Sequence, residues 1–451
     1  MGNGLRLEAI PPCSSHTTRR VATPVCHAIP HAFHSYPSQQ AHVLSSLRLG
    51  RQLASPGFVA DLPLPPHCTL GWDMVSVPSS GTHRGQVMKV EAIGMSSCLG
   101  PGVTACAAFR AGIVRHQPSE EVTTFSPGDS EAQPVNVCAI PGITLGFSGV
   151  GRLVAIAEDS LEDLGAKTSL TALGREAGIF LALPDFSAPE DAPRTRAATQ
   201  EALGRQVLER ALATHRVSWS EDRWRFFTGG SAGFALALVA ARRELERRAF
   251  DVVVVGGIDS LVAPEHLRFL LAERRLKTAD NPVGLLPGEA GALLVLRARA
   301  PGGAGGRSPQ VEVTAVHTAV EPRSQGPGAM PDGGALATCV REVLGASPEQ
   351  DAAFIWDLNG EQRRAWEWGS TLVRLKSHAP SLGDAPAWVP ATGFGDVGAA
   401  SGAVGACIAV RAFERRYAPA RQLVVVSQSD SGERAAFALA VGAPSREGGP
   451  A

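Results

Sequence analysis

Residues 226–260 read "FFTGGSAGFALALVAARRELERRAFDVVVVGGIDS". An aromatic, strand-like end runs into Gly229 and Gly230, a helix follows from Ser231, and "DVVVV" at 251–255 is a second strand. The helix opens on small residues and closes on Arg242, Arg243, Arg247 and Arg248, the polarity its macrodipole favours. A strand, a tight glycine turn and a buried helix often present a nucleophile at the helix N-terminus, where dipole and free amides favour negative charge. The residues at this turn are Gly229, Gly230 and Ser231.

Outward from this segment, strands and helices alternate from residue 89 onward. Strand-like runs are "VEAIGM" (90–95), "GIFLALPD" (178–185), "WRFFT" (224–228) and "GALLVLRA" (291–298). Helical spacing marks 104–114, 149–164, 197–215 and 264–274. Beyond the Gly/Pro-rich joint "PGGAGGRSP" (301–309) the order repeats. "QVEVTAVHTAV", "AAFIWDL", "QLVVVSQ" and "RAAFALAVG" are strands, and 332–345, 361–376 and 398–416 are helices. Apolar strands in βα units imply sheets covered by helices on both faces, and the repeated order implies two duplicated halves.

Composition narrows the function classes. The 42 basic residues balance 43 acidic ones, so the net field favours neither nucleic acid nor an anionic membrane. No apolar run reaches the roughly 18–20 residues that span a bilayer, and the expectation is a cytoplasmic protein. The eight cysteines form no CxxC pair and have no histidines at zinc-finger spacing, so they read as reduced, buried apolar groups with no metal. Residues 1–87 differ from the rest. "PPCSSHTTRRVATPVCHAIPHAFHSYPSQQ" (11–40) has no period, and seven of the twelve histidines precede residue 84. This composition predicts a disordered extension rather than a metal-binding one. Met88 reads as the start of the folded domain, with the tail an upstream start-site addition.

Four segments in order carry a family resemblance: "VEAIGMSSCLGPGVTACAAFRAGI" (90–113), residues 226–260, "GLLPGEAGALLVLRA" (284–298) and "GDVGAASGAVGACIAVRA" (395–412). They resemble the β-ketoacyl-ACP synthases, condensing enzymes of the thiolase superfamily, over roughly residues 89–443. The resemblance implies an α/β, thiolase-like, five-layered αβαβα fold. Its pseudo-duplicated halves would span 88–300 and 309–443 behind the 1–87 tail, and no cofactor is implied. It also implies pairing through the "WRFFT" strand, as a homodimer or a heterodimer with a related subunit.

The family's chemistry uses a cysteine at the buried helix N-terminus and two histidines that assist decarboxylation and stabilise an oxyanion. Laid on the family's Thr-Ala-Cys-Ala-Ser-Gly pattern, "TGGSAG" (228–233) puts Gly230 at the nucleophile and Ser231 beside it. "LNGE" (358–361) puts Asn359 at the first histidine and Glu361 at the threonine of the His-Gly-Thr turn. "ATGFGD" (391–396) puts Ala391 at the lysine and Asp396 at the second histidine. "DSGE" (430–433) stands at the glycine-rich gate, so Glu361, Asp430 and Gly432 occupy substrate-contacting positions. Every position that carries condensation differs.

Ser231 is adjacent to the lost nucleophile, and Asp396 is a candidate base, since burial raises a carboxyl's pKa. The plainer reading makes the Ser231 hydroxyl an N-cap that accepts a backbone N–H. His116, His215, His266, His317 and His378 fall outside the matched catalytic segments. Asn359 and Asp396 are expected to meet in the old cleft. "DLNGEQRRAWEW" (357–368) reads either as a helix with core tryptophans and a solvated Arg363–Arg364 pair, or as a polar site replacing the catalytic turn. It also resembles a turn in degenerate synthase-like proteins found beside bacterial secretion-system genes.

The resulting expectation is a synthase-like protein without condensing activity, serving as a binding, adaptor or partner subunit, including a chain-length-factor role. Its expected partners are a related subunit, an acyl carrier protein or a secretion-system protein. The alternative is an active 3-oxoacyl-ACP synthase acting through Ser231.

Overall fold

The computed structural model describes residues 87–125, 128, 130–187, 191–298, 310–322, 330–345 and 351–442. The expected disordered tail, apart from Val87, and the Gly/Pro-rich joint lie outside the described residues. The first half contains β1 (Met88–Ser97), α1 (Gly102–Arg110), β2 (Gln117–Thr124), β3 (Gln133–Val137), α2 (Gly149–Gly165), α3 (Leu170–Glu176) and β4 (Gly178–Ala182). It continues with α4 (Pro193–Thr214), β5 (Trp224–Phe227), α5 (Gly233–Glu246), β6 (Val252–Ser260), α6 (Pro264–Ala272) and β7 (Glu289–Ala298). The second half contains β8 (Val311–Val320), α7 (Gly334–Leu344), β9 (Ala352–Trp356), α8 (Gln362–Lys376), β10 (Ala387–Trp388), α9 (Ala391–Phe394), α10 (Ser401–Glu414), β11 (Gln422–Gln428) and β12 (Glu433–Val441).

The strands run in the order β10-β9-β11-β12-β8-β1-β7-β6-β4-β5. Each half contributes five, with its first strand antiparallel to its last, the last antiparallel to the fourth, and the remaining pairs parallel. The halves therefore share one topology. In the large sheet, among the described residues, the halves pair through Met88 opposite Val313 and Lys89 opposite Glu312.

Three cores separate five layers. Val253 and Val255 of β6 face a central core with α1, α5 and α10, while Val252 and Val254 face an outer core with α2 and α4. In the second half Val425 faces the centre, and Val424 and Val426 face α7 and α8. The side-chain period of two thus explains why a run of valines is buried throughout: the strand has helices on both sides. All five described cysteines are buried and free.

The β2–β3 hairpin escaped the sequence reading. Its first strand, "QPSEEVTT", buries only Val122 and carries no usable alternation. It packs with α6 in a small fourth core. The helix expected from Ser231 begins instead with a three-residue 3-10 turn, Gly230–Ala232, ahead of α5.

Candidate functional site

The site forms where the carboxyl ends of β5, β6, β9 and β11 meet the starts of α5 and α10. Gly230 has φ +50°, which favours glycine, and a Cβ there would lie 2.8 Å from Ser429 Oγ. At Gly257 a Cβ would sit 2.5 Å from the Ala399 carbonyl oxygen, so glycine lets β6 approach the turn before α10. That approach places Asp259, at the end of β6, where its carboxylate accepts the Ala399 amide at 2.7 Å and the Ser260 amide at 2.7 Å.

Gly230, Asn359 and Asp396 offer neither a thiol nor an imidazole. Asn359 Nδ2 donates to Asp396 at 2.7 Å and to Glu361 at 2.8 Å, and Asn359 Oδ1 accepts the Glu361 amide at 3.0 Å. Asp396 also accepts the Gly398 amide at 3.0 Å. Arg275, just past α6, grips both Glu361 oxygens at 2.6 and 2.8 Å and reaches Asp430 at 2.8 Å. Arg364, in the first turn of α8, donates to the Asp357 carbonyl at 2.8 Å. Its guanidinium lies 3.6, 3.7 and 3.9 Å from the Asp357, Asp396 and Asp430 carboxylates. One network of two arginines and four carboxylates thus runs through the positions that face each other across the cleft.

Burial sets its electrostatics. Asp259 is pushed up to about 7 by desolvation, opposed by the two amides it accepts. Asp357 is also raised by burial, against the pull of Arg364 and the Gln428 amide. Asp430 is lowered: burial pushes it up, but Arg364 and Arg275 outweigh that. The imidazole of His266 on α6 is lowered by burial and by Arg275.

Ser231 is buried, and its hydroxyl donates to the Gln428 carbonyl at 2.9 Å. It does not act as the N-cap acceptor expected from sequence; the side chain crosses to the second half instead. The solvated Arg363–Arg364 pair also needs correction. Arg364 is only 8% exposed and belongs to the network, whereas Trp366 is 55% exposed. A helix starting one residue after Glu361 turns Arg364 inward and Trp366 out. Of the two readings of "DLNGEQRRAWEW", the core-tryptophan one holds for Trp368, which packs against Phe354 and Trp356, and the polar-site one describes Arg364.

Gly230, Ser231, Asp396 and Asp430 line an open cavity of about 980 Å³. Asn359 faces a second cavity of about 950 Å³, and Glu361 faces a third of about 580 Å³. Gly432, with φ +106°, serves the turn behind Asp430 and is not in the cavity wall. Sequence reasoning missed Arg275 and Asp259 and set His266 aside as outside the matched segments; all three line the 980 Å³ cavity. Only Asp259 carried a signal, as a carboxylate ending an apolar strand. Among the described residues no cluster of three or more His, Cys, Asp or Glu could hold a metal ion. Among them, too, no helix is long and apolar enough to cross a membrane.

No protein-family model matches the sequence. No curated protein matches it either. Solved structures do. The ishigamide ketosynthase/chain length factor is 19% identical, with a TM-score of 0.57 over 79% of this chain and 99% of that one. An oxazolomycin ketosynthase domain of Streptomyces albus JA3453 is 14% identical, with a TM-score of 0.60 over 81% of this chain and 76% of that one. A ketosynthase in complex with its chain length factor from Xenorhabdus doucetiae is 13% identical, with a TM-score of 0.55 over 79% and 98%. At these identities the likeness speaks for architecture, and it agrees with the duplicated five-layer topology: the chain has the thiolase-like fold of the ketosynthases.

Proposed function

We propose that this protein is a ketosynthase-fold partner subunit without condensing activity, the non-catalytic half of a pair with a related synthase. The observation that carries the reading is the bond from Asn359 to Asp396, with Gly230 at the turn. The positions of two imidazoles are occupied by an amide and a carboxylate bonded to each other, and the position of the thiol has no side chain. Condensation needs positive or neutral donors where enolate and oxyanion charge develops. Asp396 offers negative charge there. Members of a catalytic unit act together, so loss of all three removes the rate rather than a fraction of it.

The pairing half of the proposal draws on the sheet edge. β5 pairs only with β4, leaving its other edge without a strand among the described residues. An open edge of this kind is a template for a second sheet. Two of the similar structures are described as a ketosynthase with a chain length factor, and another as an acyl-carrier protein in complex with its ketosynthase. A related synthase is therefore the partner class proposed for this edge, with an acyl carrier protein as a further partner.

Serine catalysis is the competing reading: the buried Ser231 hydroxyl bonds to the Gln428 carbonyl and also meets the Asp357 carboxyl, but no imidazole stands on the matched catalytic segments. The test is to reconstitute the full chain with a ketosynthase of the same source and measure condensation by each chain alone and together. The expected result is a two-chain assembly in sedimentation, with turnover abolished by removing the partner's nucleophile. Turnover by this chain alone would overturn the proposal.

A further inference from the structure

The outer helices of the two halves differ in the face they turn to solvent. α4, outside the first half, has no large apolar side chain among its exposed residues. α8, outside the second, buries Arg364, Glu367, Thr371 and Leu375 on one face. Its other face exposes Ala365, Trp366, Gly369 and Val373, with Trp366 55% and Val373 71% exposed. A solvated helix face ordinarily carries charged and polar residues. A Cβ on Gly369 would meet nothing within 4 Å, so the apolar stripe is open at its middle.

At the first turn of α8 the stripe runs into the groove of about 580 Å³, where Met330 and Val283, 41% and 55% exposed, stand with Trp366. Large apolar side chains gathered in the open round a concavity mark a protein contact, and tryptophan is a common anchor of such contacts. Charge narrows the partner. The exposed residues of α8 include no carboxylate; its last turn carries Arg374 and Lys376, and Arg274 lines the groove. Arg374 pairs with Asp332, whereas Arg274 and Lys376 make no ion pair with a described residue. Glu361, the carboxylate that lines the groove, is held on both oxygens by Arg275. A second copy of this face would set cation against cation, and a flat bilayer would leave the groove unfilled.

We infer that the outward face of α8 docks an acidic amphipathic helix of another protein. An apolar side chain of that helix fills the groove beside Trp366, its apolar stripe lies on Ala365, Gly369 and Val373, and carboxylates near its ends meet Arg274 and Lys376. Trp366 and Lys376 are ten residues apart, about 15 Å along α8, so those carboxylates stand about three turns apart. α8 packs on the second half's sheet, whereas the open β5 edge ends the first half's. This surface is therefore additional to the one proposed for the related synthase.

The experiment is anisotropy titration of the full chain against three fluorescein-labelled, five-turn peptides. One carries leucine on one face and glutamate on the other, one has lysine in place of glutamate, and one has the leucine–glutamate sequence scrambled. The glutamate amphipath is expected to bind about tenfold more tightly than either of the others. Trp366→Ala should weaken it about tenfold, and Val373→Asp and Lys376→Glu severalfold each, at unchanged melting temperatures. Equal binding of the lysine or scrambled peptide, or indifference to Trp366→Ala and Val373→Asp, overturns the inference. Tighter attachment to phosphatidylglycerol vesicles than to the peptide would overturn it in favour of a membrane. Self-association that is lost in Trp366→Ala would overturn it in favour of a second copy.

Discussion

The two central helices begin alike and end up in different hands. Before α5, Gly230 at φ +50° opens a three-residue 3-10 turn; before α10, Gly398 at φ +50° does the same. Both helices are 14 residues long and buried between the sheets. Ahead of α10, Asp396 and Asp259 accept the amides of Gly398 and Ala399 in the 3-10 turn, so carboxyl groups satisfy free amides near the positive end of the helix. At α5 no side chain caps the start, and Ser231 donates outward to a carbonyl. The contrast explains what the carboxylate at residue 396 does. Asp396 accepts the Gly398 amide ahead of α10 and the Asn359 side-chain amide.

The sharpest way to break this contrast is to remove the cation that balances the capped side. Arg364→Met leaves Asp357 and Asp396 buried without their guanidinium and should cost about 3–5 kcal/mol in urea denaturation. A cost below 1 kcal/mol would mean the network carries little.

The second test uses pH. The Asp259 carboxyl is raised from 3.8 to about 7 in the folded state, so the native protein holds that proton more tightly than the unfolded chain. Stability from this group is complete below about pH 4 and is lost as pH rises through 7, a swing of about 4 kcal/mol at most. Asp259→Asn lacks the group, so its stability relative to wild type should improve from pH 4 to 7 and stay level above. A flat difference would place Asp259 in a wetter setting than the burial implies.

Smaller effects separate the two helix starts directly. Asp396→Ala frees the Gly398 amide and leaves Asn359 Nδ2 with Glu361 as its acceptor, an expected cost of about 2–3 kcal/mol. Ser231→Ala loses one bond to a carbonyl, an expected cost of about 0.5–1.5 kcal/mol. Reversal of that order would show that the α5 turn, not the α10 turn, is the one held in place.

The layers were legible because their signals are local. Val252–Val255, buried on both faces, and the small residues of α10 announce central elements from sequence, and so does the order of the two halves. The hairpin at β2 and β3 was not legible, since one buried valine gives no pattern. The site divides the same way. Gly230, Asn359 and Asp396 stood out by replacing an expected residue type, but Arg275 and Arg364 did not. Arg275 meets Glu361 across 86 positions, and Arg364 turns inward only because of the phase in which α8 starts. Long-range ion pairs and helix phase are tertiary facts, and neither leaves a period in the chain.

The most direct test of the non-catalytic reading is intact-mass measurement after incubation with octanoyl-acyl carrier protein. It compares wild type with the variant Gly230→Cys, Asn359→His, Asp396→His, Ser429→Gly. The last change is included because a Cβ on Gly230 meets Ser429 Oγ at 2.8 Å, and a non-glycine residue at φ +50° already costs about 1–2 kcal/mol. The account predicts no acyl adduct on wild type and an adduct at residue 230 in the variant. An octanoyl adduct on wild type that disappears in Ser231→Ala would contradict it.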